Sequence, residues 1–195
     1  MNGFVHLRVH TEYSLVDSLL RVDTLVDAVA ELRMPACAIT DQGNVSALVR
    51  FYKYALAKGV KPVVGADVWV AESRDDKEPS RLTLLCQNQT GFRRLSALLT
   101  KSAMHGAVAG RNVLLKEWLE PDALESLIGL SGGIFGELGK ALAAGRGERA
   151  GACRAASTSS CSASGARASA TISRAPSRPP RRTPCPSWRR TTSAF

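Results

Sequence analysis

No stretch of this sequence is long and apolar enough to span a bilayer, and its opening residues hold no apolar run of the kind that forms a secretory leader. A cytoplasmic protein with no membrane partner is expected. The cysteines offer little: before residue 150 only Cys37 and Cys86 occur, each alone in an apolar run. Such spacing suits neither zinc ligation nor a disulfide framework, so buried thiols in a reducing compartment are expected. The sharpest absence is of acid. Residues 151–195 hold eight arginines but no lysine, aspartate or glutamate, and so carry +8 of the formal net charge of +9. The rest of the chain is nearly neutral, and the high overall charge is no evidence that it has a nucleic-acid surface.

The same 45 residues lack an amphipathic period, with Trp188 and Phe195 as their only aromatics. Burial there cannot offset an ordering cost of roughly 1–2 kcal/mol per residue, so a disordered Arg/Ser/Ala/Pro-rich tail over 151–195 is expected. Its arginine pairs 181–182 and 189–190 beside Trp188 suit single-stranded nucleic acid, although composition favours a segment with no selected role.

Residues 1–150 do carry pattern. Alternation over 5–9 predicts a strand with His6, Arg8 and His10 on one face and Val5, Leu7 and Val9 on the other. Helical spacing of Val22, Leu25, Val26, Val29 and Ala30 follows, stopped by Pro35, and then a strand over 36–40. Asn44 is placed to cap a helix with the stripe Val45, Leu48, Val49, Tyr52, Ala55 and Leu56, ended by Gly59. Strands are expected over 63–70, 82–86 and 127–130, and helices after Thr90, over 117–126 and through Leu138 and Leu142, with an irregular stretch over 105–115. Strands alternating with helices argue for parallel βαβ units. Tyr52 and Trp69 are expected in the core.

Three motifs stand in order: His6-Leu7-Arg8-Val9-His10-Thr11-Glu12-Tyr13-Ser14, Thr40-Asp41-Gln42-Gly43-Asn44 and Lys61-Pro62-Val63-Val64-Gly65-Ala66-Asp67. Together they resemble the opening of the alpha subunits of bacterial DNA polymerase III, whose N-terminal part is a PHP (polymerase and histidinol phosphatase) domain. The resemblance covers 3–149. It implies an α/β fold, about the first half of a distorted (βα)7 barrel, with an open parallel edge and an uncovered apolar interior where the barrel stops. It also bears on the tail. Read one base out of register, codons compatible with residues 184–195 yield Leu-Pro-Val-Val-Ala-Thr-Asn-Asp-Val-Arg-Phe. That peptide resembles an alpha-subunit motif further along the PHP domain, so 151–195 reads as an out-of-frame translation.

In active PHP domains the resemblance implies ligands from a His-x-His pair, a Thr-Asp-His-Gly run and a Gly-x-Glu run, holding a zinc or manganese cluster whose bound water attacks a phosphoester. Here Arg8 replaces the first histidine, Gln42 the histidine after Asp41, and Asp67 the glutamate. A guanidinium has no lone pair to offer a metal and stays charged at any working pH. Arg8 is therefore expected to pair with Asp41, Asp67 or both in place of metal. His10 and Asp41 remain as the only family ligands, too few for a catalytic cluster, and no cofactor is expected.

Other chemistry fails on inspection. The run from Ser131 to Lys140 lacks the first glycine of a phosphate loop at Ile134 and its hydroxyl at Ala141. Ser14, His10 and Asp17 could be drawn as a triad, but such residues near strand ends are more often caps and turns. His105 is solitary. Nucleotidyl transfer needs acidic residues holding two Mg2+ ions, which the resemblance places far beyond residue 195. The resemblance implies a domain that supports the remainder of the alpha subunit and docks the separate proofreading exonuclease subunit, meeting DNA only through the parent polymerase. The competing reading is a metal-dependent phosphoesterase or 3'-5' exonuclease.

Overall fold

In the computed structural model the apolar spacing after residue 21 becomes helix α1 (Val22–Glu31), which buries Val22, Leu25, Val26 and Val29. The structure describes residues 4–145 apart from Val16, Lys77 and Ala109. These belong to a unit spanning Met1–Gly165; a second unit, Ala166–Phe195, and the whole of the expected disordered tail over 151–195 lie outside the described residues. Strand β1 (Ala36–Ile39) leads to α2 (Leu48–Ala57), whose Phe51 and Ala55 face α1 and β1. Phe51, fully buried, anchors this first layer; truncating such a side chain to alanine costs about 3–5 kcal/mol.

The long strand β2 (Lys61–Ala71) is the spine of the sheet. Its first residues pair in parallel with β1, from Ala36↔Lys61 to Ile39↔Val64. Its other side takes β3 (Ser80–Cys86) antiparallel, and β6 (Leu127–Ser131) pairs antiparallel with β3 in turn. Trp69 and Val70 pair with both β3 and β5 (Arg111–Leu115), so β5 follows β1 along the same side of β2. A short β4 (Ala107–Val108) closes on β5.

This mixed sheet corrects the parallel expectation. The link between β2 and β3 is only residues 72–79 and carries no helix, whereas a parallel return needs a crossover of a dozen or more residues. Among the described residues the sheet accordingly ends at β6, an antiparallel edge strand.

Period-two alternation sorts the central strands into two faces. Ala66, Val68 and Leu84 pack under α3 (Gln89–His105), against Leu95 and Leu98. Asn88 starts that helix by accepting the Gly91 N–H. On the opposite face Asp67, Thr83 and Leu130 lie side by side across β2, β3 and β6, with Trp69 and Arg81 as the next pair. Gly65 is required there: a Cβ would stand 2.4 Å from the Leu84 carbonyl oxygen and 2.7 Å from the Leu85 side chain.

Several local expectations change. Val49, Tyr52 and Leu56 point to solvent, because Ala47, Phe51 and Ala55 win the core face of α2. Asn44 does not cap α2; its side chain donates to the carbonyls of Tyr13 and Gln42 and accepts from the Ser46 N–H, shaping the turn before the helix. The stretch over 105–115 holds β4 and β5, and the acidic helix splits into a 3-10 turn, Lys116–Trp118, and α4 (Pro121–Leu124) at the proline. Helix α5 (Glu137–Ala143) follows β6 through the glycine turn. Trp69 is not plain core: its ring lies between the guanidiniums of Arg81 and Arg111, 4.6 and 5.2 Å from its centroid. Burial pushes the thiols of Cys37 and Cys86 up to about 11, so both are inert at neutral pH. His105 is exposed at the end of α3.

Candidate functional site

The segment expected as a strand over 5–9 forms only a single bridge, His6 to Cys37. The His6 carbonyl accepts the Ala38 N–H, but the next bond, from the Thr40 N–H, goes to Val9 instead of Arg8. One extra residue therefore sits between the two bonds, as in a β-bulge. The Thr40 hydroxyl pins the far side, accepting from the Val9 N–H at 3.0 Å. The extra residue breaks the alternation: Leu7, expected inside, is 44% exposed, and His6 packs edge-on against Phe4. Arg8 and His10 still converge on one point, which is Asp67.

Asp67 is 1% exposed, and its Oδ2 receives four donors: Arg8 Nη2 at 2.5 Å, His10 Nε2 at 3.0 Å, Arg8 Nε at 3.2 Å and Arg81 Nη1 at 3.4 Å. Its Oδ1 accepts the Thr83 hydroxyl at 3.0 Å. Burial pushes this carboxyl up, but the bonds from His10 and Arg8 outweigh it and hold the group below the usual carboxylate range. On its other side His10 meets Asp17 through Nδ1 at 2.6 Å. With a carboxylate at each ring nitrogen both must donate, so the imidazolium is favoured. Its pKa is raised, chiefly by the Asp67 bond, against the lowering effect of burial.

Asp41, also 1% exposed, has different company. It accepts the Thr11 N–H at 2.6 Å, the Thr11 hydroxyl at 2.8 and 2.9 Å and the Ser14 hydroxyl at 2.7 Å. Arg8 thus pairs with Asp67 and not with Asp41. Gln42 lies between the two carboxylates, its N–H on the Ser14 hydroxyl and its Oε1 3.4 Å from Arg81. The five positions singled out in the sequence, Arg8, His10, Asp41, Gln42 and Asp67, are all brought together. The Ser14-His10-Asp17 arrangement forms only its His10–Asp17 half, since Ser14 is committed to Asp41 and Gln42. Thr11, Arg81 and Thr83 were missed by sequence reasoning. Arg81 and Thr83 do alternate with Leu85 on the site face of β3, and that period was the available signal.

The donor set as it stands does not fit a divalent ion. The Asp67 oxygen that would face a metal is filled by two guanidiniums and an imidazole, and both His10 nitrogens are engaged. Among the described residues no three His, Cys, Asp or Glu side chains gather as a ligand set. The charges instead balance within the cluster: Arg8, Arg81 and protonated His10 against Asp17, Asp41 and Asp67.

Residues 6–160 match the family model described as PHP domain. The chain belongs to the PHP domain family. Its sequence is 48% identical over 140 residues to the DNA polymerase III subunit alpha of Pseudomonas aeruginosa, covering 72% of this chain and 12% of that protein. The subunit alpha of Escherichia coli K12 is 42% identical over 139 residues, covering 71% of this chain and 12% of that protein. This PHP chain therefore spans about an eighth of the curated relatives it matches. Among solved structures, an amidohydrolase from Chromobacterium violaceum aligns with a TM-score of 0.42 at 19% identity, over 51% of this chain and 33% of that one. No described helix is long and apolar enough to cross a membrane.

Proposed function

We propose that this chain is the N-terminal PHP part of a replicative DNA polymerase III alpha subunit and serves the polymerase as a structural module in the cytoplasm. The observation that carries this reading is the Arg8 guanidinium, 2.5 Å from Asp67 Oδ2, where metal-dependent relatives are expected to place an imidazole and an ion. A fixed cation on a buried carboxylate ties the N-terminal segment to β2, a role a metal would otherwise fill. The partners are the remainder of the alpha subunit and the proofreading exonuclease subunit, and nucleotidyl transfer belongs to the parent's other domains. Metal analysis of purified protein is the direct test. Less than one tightly bound zinc or manganese per chain, with no phosphoester hydrolysis, is expected; a stoichiometric cluster would establish the phosphoesterase or 3'-5' exonuclease reading instead. Arg8→His with Gln42→His and Asp67→Glu should raise metal affinity, and removing the Arg81 cation as well should raise it further.

The 151–195 segment is proposed to be an out-of-frame translation of the same gene. Resequencing should find the frame displaced by one base near the codon for Gly151, with the corrected frame encoding Leu-Pro-Val-Val-Ala-Thr-Asn-Asp-Val-Arg-Phe and running on. Stop codons directly after correction would refute this. A nucleic-acid role for the segment would show instead as DNA affinity falling steeply with salt, a slope lost on its removal.

A further inference from the structure

We infer, on the proposed reading that cations stand at Asp67 in place of metal, that Trp69 is the positioning residue for one of them: its ring face, and not hydrogen bonding, holds the Arg81 guanidinium against that carboxylate. The two arginines reach Asp67 in different ways. Arg8 makes close bonds to Oδ2, from Nη2 at 2.5 Å and from Nε at 3.2 Å. The side-chain bonds of Arg81 all lie near the limit of hydrogen bonding: Nη1 is 3.4 Å from Asp67 Oδ2, and Nη2 is 3.4 Å from Gln42 Oε1 and 3.5 Å from Asp17 Oδ2. Its buried Nε has no partner among the described residues. Contacts of that length hold a flexible side chain weakly. Arg81 is nevertheless the more enclosed of the two, with 14% of its side chain exposed against 40% for Arg8.

What Arg81 does have is aromatic surface. Trp69 is its direct partner across β2 and β3, and the guanidinium carbon lies 4.6 Å from the centroid of the indole and 6.0 Å from that of Phe135. Tryptophan attracts a cation more strongly than the other aromatic side chains do, and the attraction grows as water is excluded. A planar guanidinium can lie against a ring and still turn its N–H edge to a carboxylate. The place of Trp69 in the sheet sets where that edge points. Asp67 precedes it by two residues on the same face of β2, so a guanidinium held on the indole is directed along the sheet toward the carboxylate. The indole N–H is itself buried without a partner among the described residues, which leaves the ring face as what this side chain contributes.

The full chain should be studied by NMR relaxation of labelled arginine side chains, in Trp69→Phe and Trp69→Leu. Both changes delete the indole N–H, but only phenylalanine keeps a π face. The order parameter of the Arg81 Nε–H should stay high in the parent chain and in Trp69→Phe, and fall below about 0.6 in Trp69→Leu. That of Arg8 should hold in all three. Trp69→Met, which keeps more of the volume, takes the place of Trp69→Leu should that variant not fold. A second measurement asks about the site itself. In the chain carrying Arg8→His, Gln42→His and Asp67→Glu, adding Trp69→Leu should raise zinc affinity about tenfold, as much as adding Arg81→Met, and both together should do no more than either. Arg81 that stays ordered in Trp69→Leu overturns the inference. So does equal loosening in Trp69→Phe, which would give the role to packing, or loosening of Arg8 alongside Arg81. Gains in zinc affinity that simply add would overturn it too. Should the triple variant bind no zinc with or without these additions, the substitution of cations for metal falls, while the relaxation measurements still decide what Trp69 does.

Discussion

Asp41 and Asp67 are buried to the same degree, a few residues past the start of neighbouring strands, yet one sits among neutral hydroxyls and the other among cations. The difference is one of reversibility. A hydroxyl can turn from donor to acceptor, so the Thr11 and Ser14 hydroxyls around Asp41 can adapt if that residue loses its charge, while a neutral amide oxygen there can still accept the Thr11 N–H. A guanidinium can only donate, so Arg8 and Arg81 have no alternative to an anion at 67. Asp67 is therefore an electrostatic keystone, while Asp41 is a hydrogen-bonding post.

The widest separation between the two should come from the same isosteric change made in each. Asp67→Asn strands the two guanidiniums of Arg8 and Arg81 around a neutral amide and is expected to cost about 3–5 kcal/mol. Asp41→Asn lets the hydroxyls rearrange and should cost about 1–2 kcal/mol. Unfolding midpoints in urea measure both, and equal losses would end the distinction. Next in size is Arg8→Met. Because the Arg8 side chain is 40% exposed and His10 and Arg81 remain on Asp67, the loss is set at about 1–2 kcal/mol after discounting for solvent. A loss as large as that of Asp67→Asn would mean that Arg8 alone carries the charge balance. Thr11→Val, which keeps the shape but removes one hydroxyl from Asp41, should cost about 1 kcal/mol.

The smallest effect needs no substitution. His10 has its pKa raised in the fold, so its contribution is complete below its ordinary value of 6.5 and fades as pH rises through the higher folded value. Asp67 has its pKa lowered, so its contribution is complete above its ordinary value of 3.8 and fades as pH falls through the lower folded value. Stability should be greatest between those two ordinary values and decline above the upper one. The alkaline decline should vanish in His10→Gln, and its survival there would assign it to another group.

Much of this was legible in the sequence because it rests on local rules. The helical spacing of Val22 to Val29, the apolar runs of β1, β2, β3 and β6, and the gathering of Arg8, His10, Asp41, Gln42 and Asp67 on one face all follow from periodicity and motif order. What escaped were outcomes of competition in three dimensions. Whether Phe51 or Tyr52 faces the core depends on the depth between α1 and β1, which spacing does not encode. That Arg81 enters the site depends on β3 returning antiparallel and in register with Trp69. A count of residues 72–79 would have excluded the parallel alternative, so this miss was avoidable.

The extra residue between His6 and Val9 makes this stretch a spacer whose length matters more than its wording. Leu7 buries little, so many side chains should serve there equally well. Deleting it is another matter, because the two carbonyls that accept from Ala38 and Thr40 would return to regular ladder spacing and lose the bulge that sets the approach of Arg8 to Asp67. In a pool of variants, position 7 should tolerate broad exchange but no shortening, whereas the fully buried position 51 should tolerate little exchange.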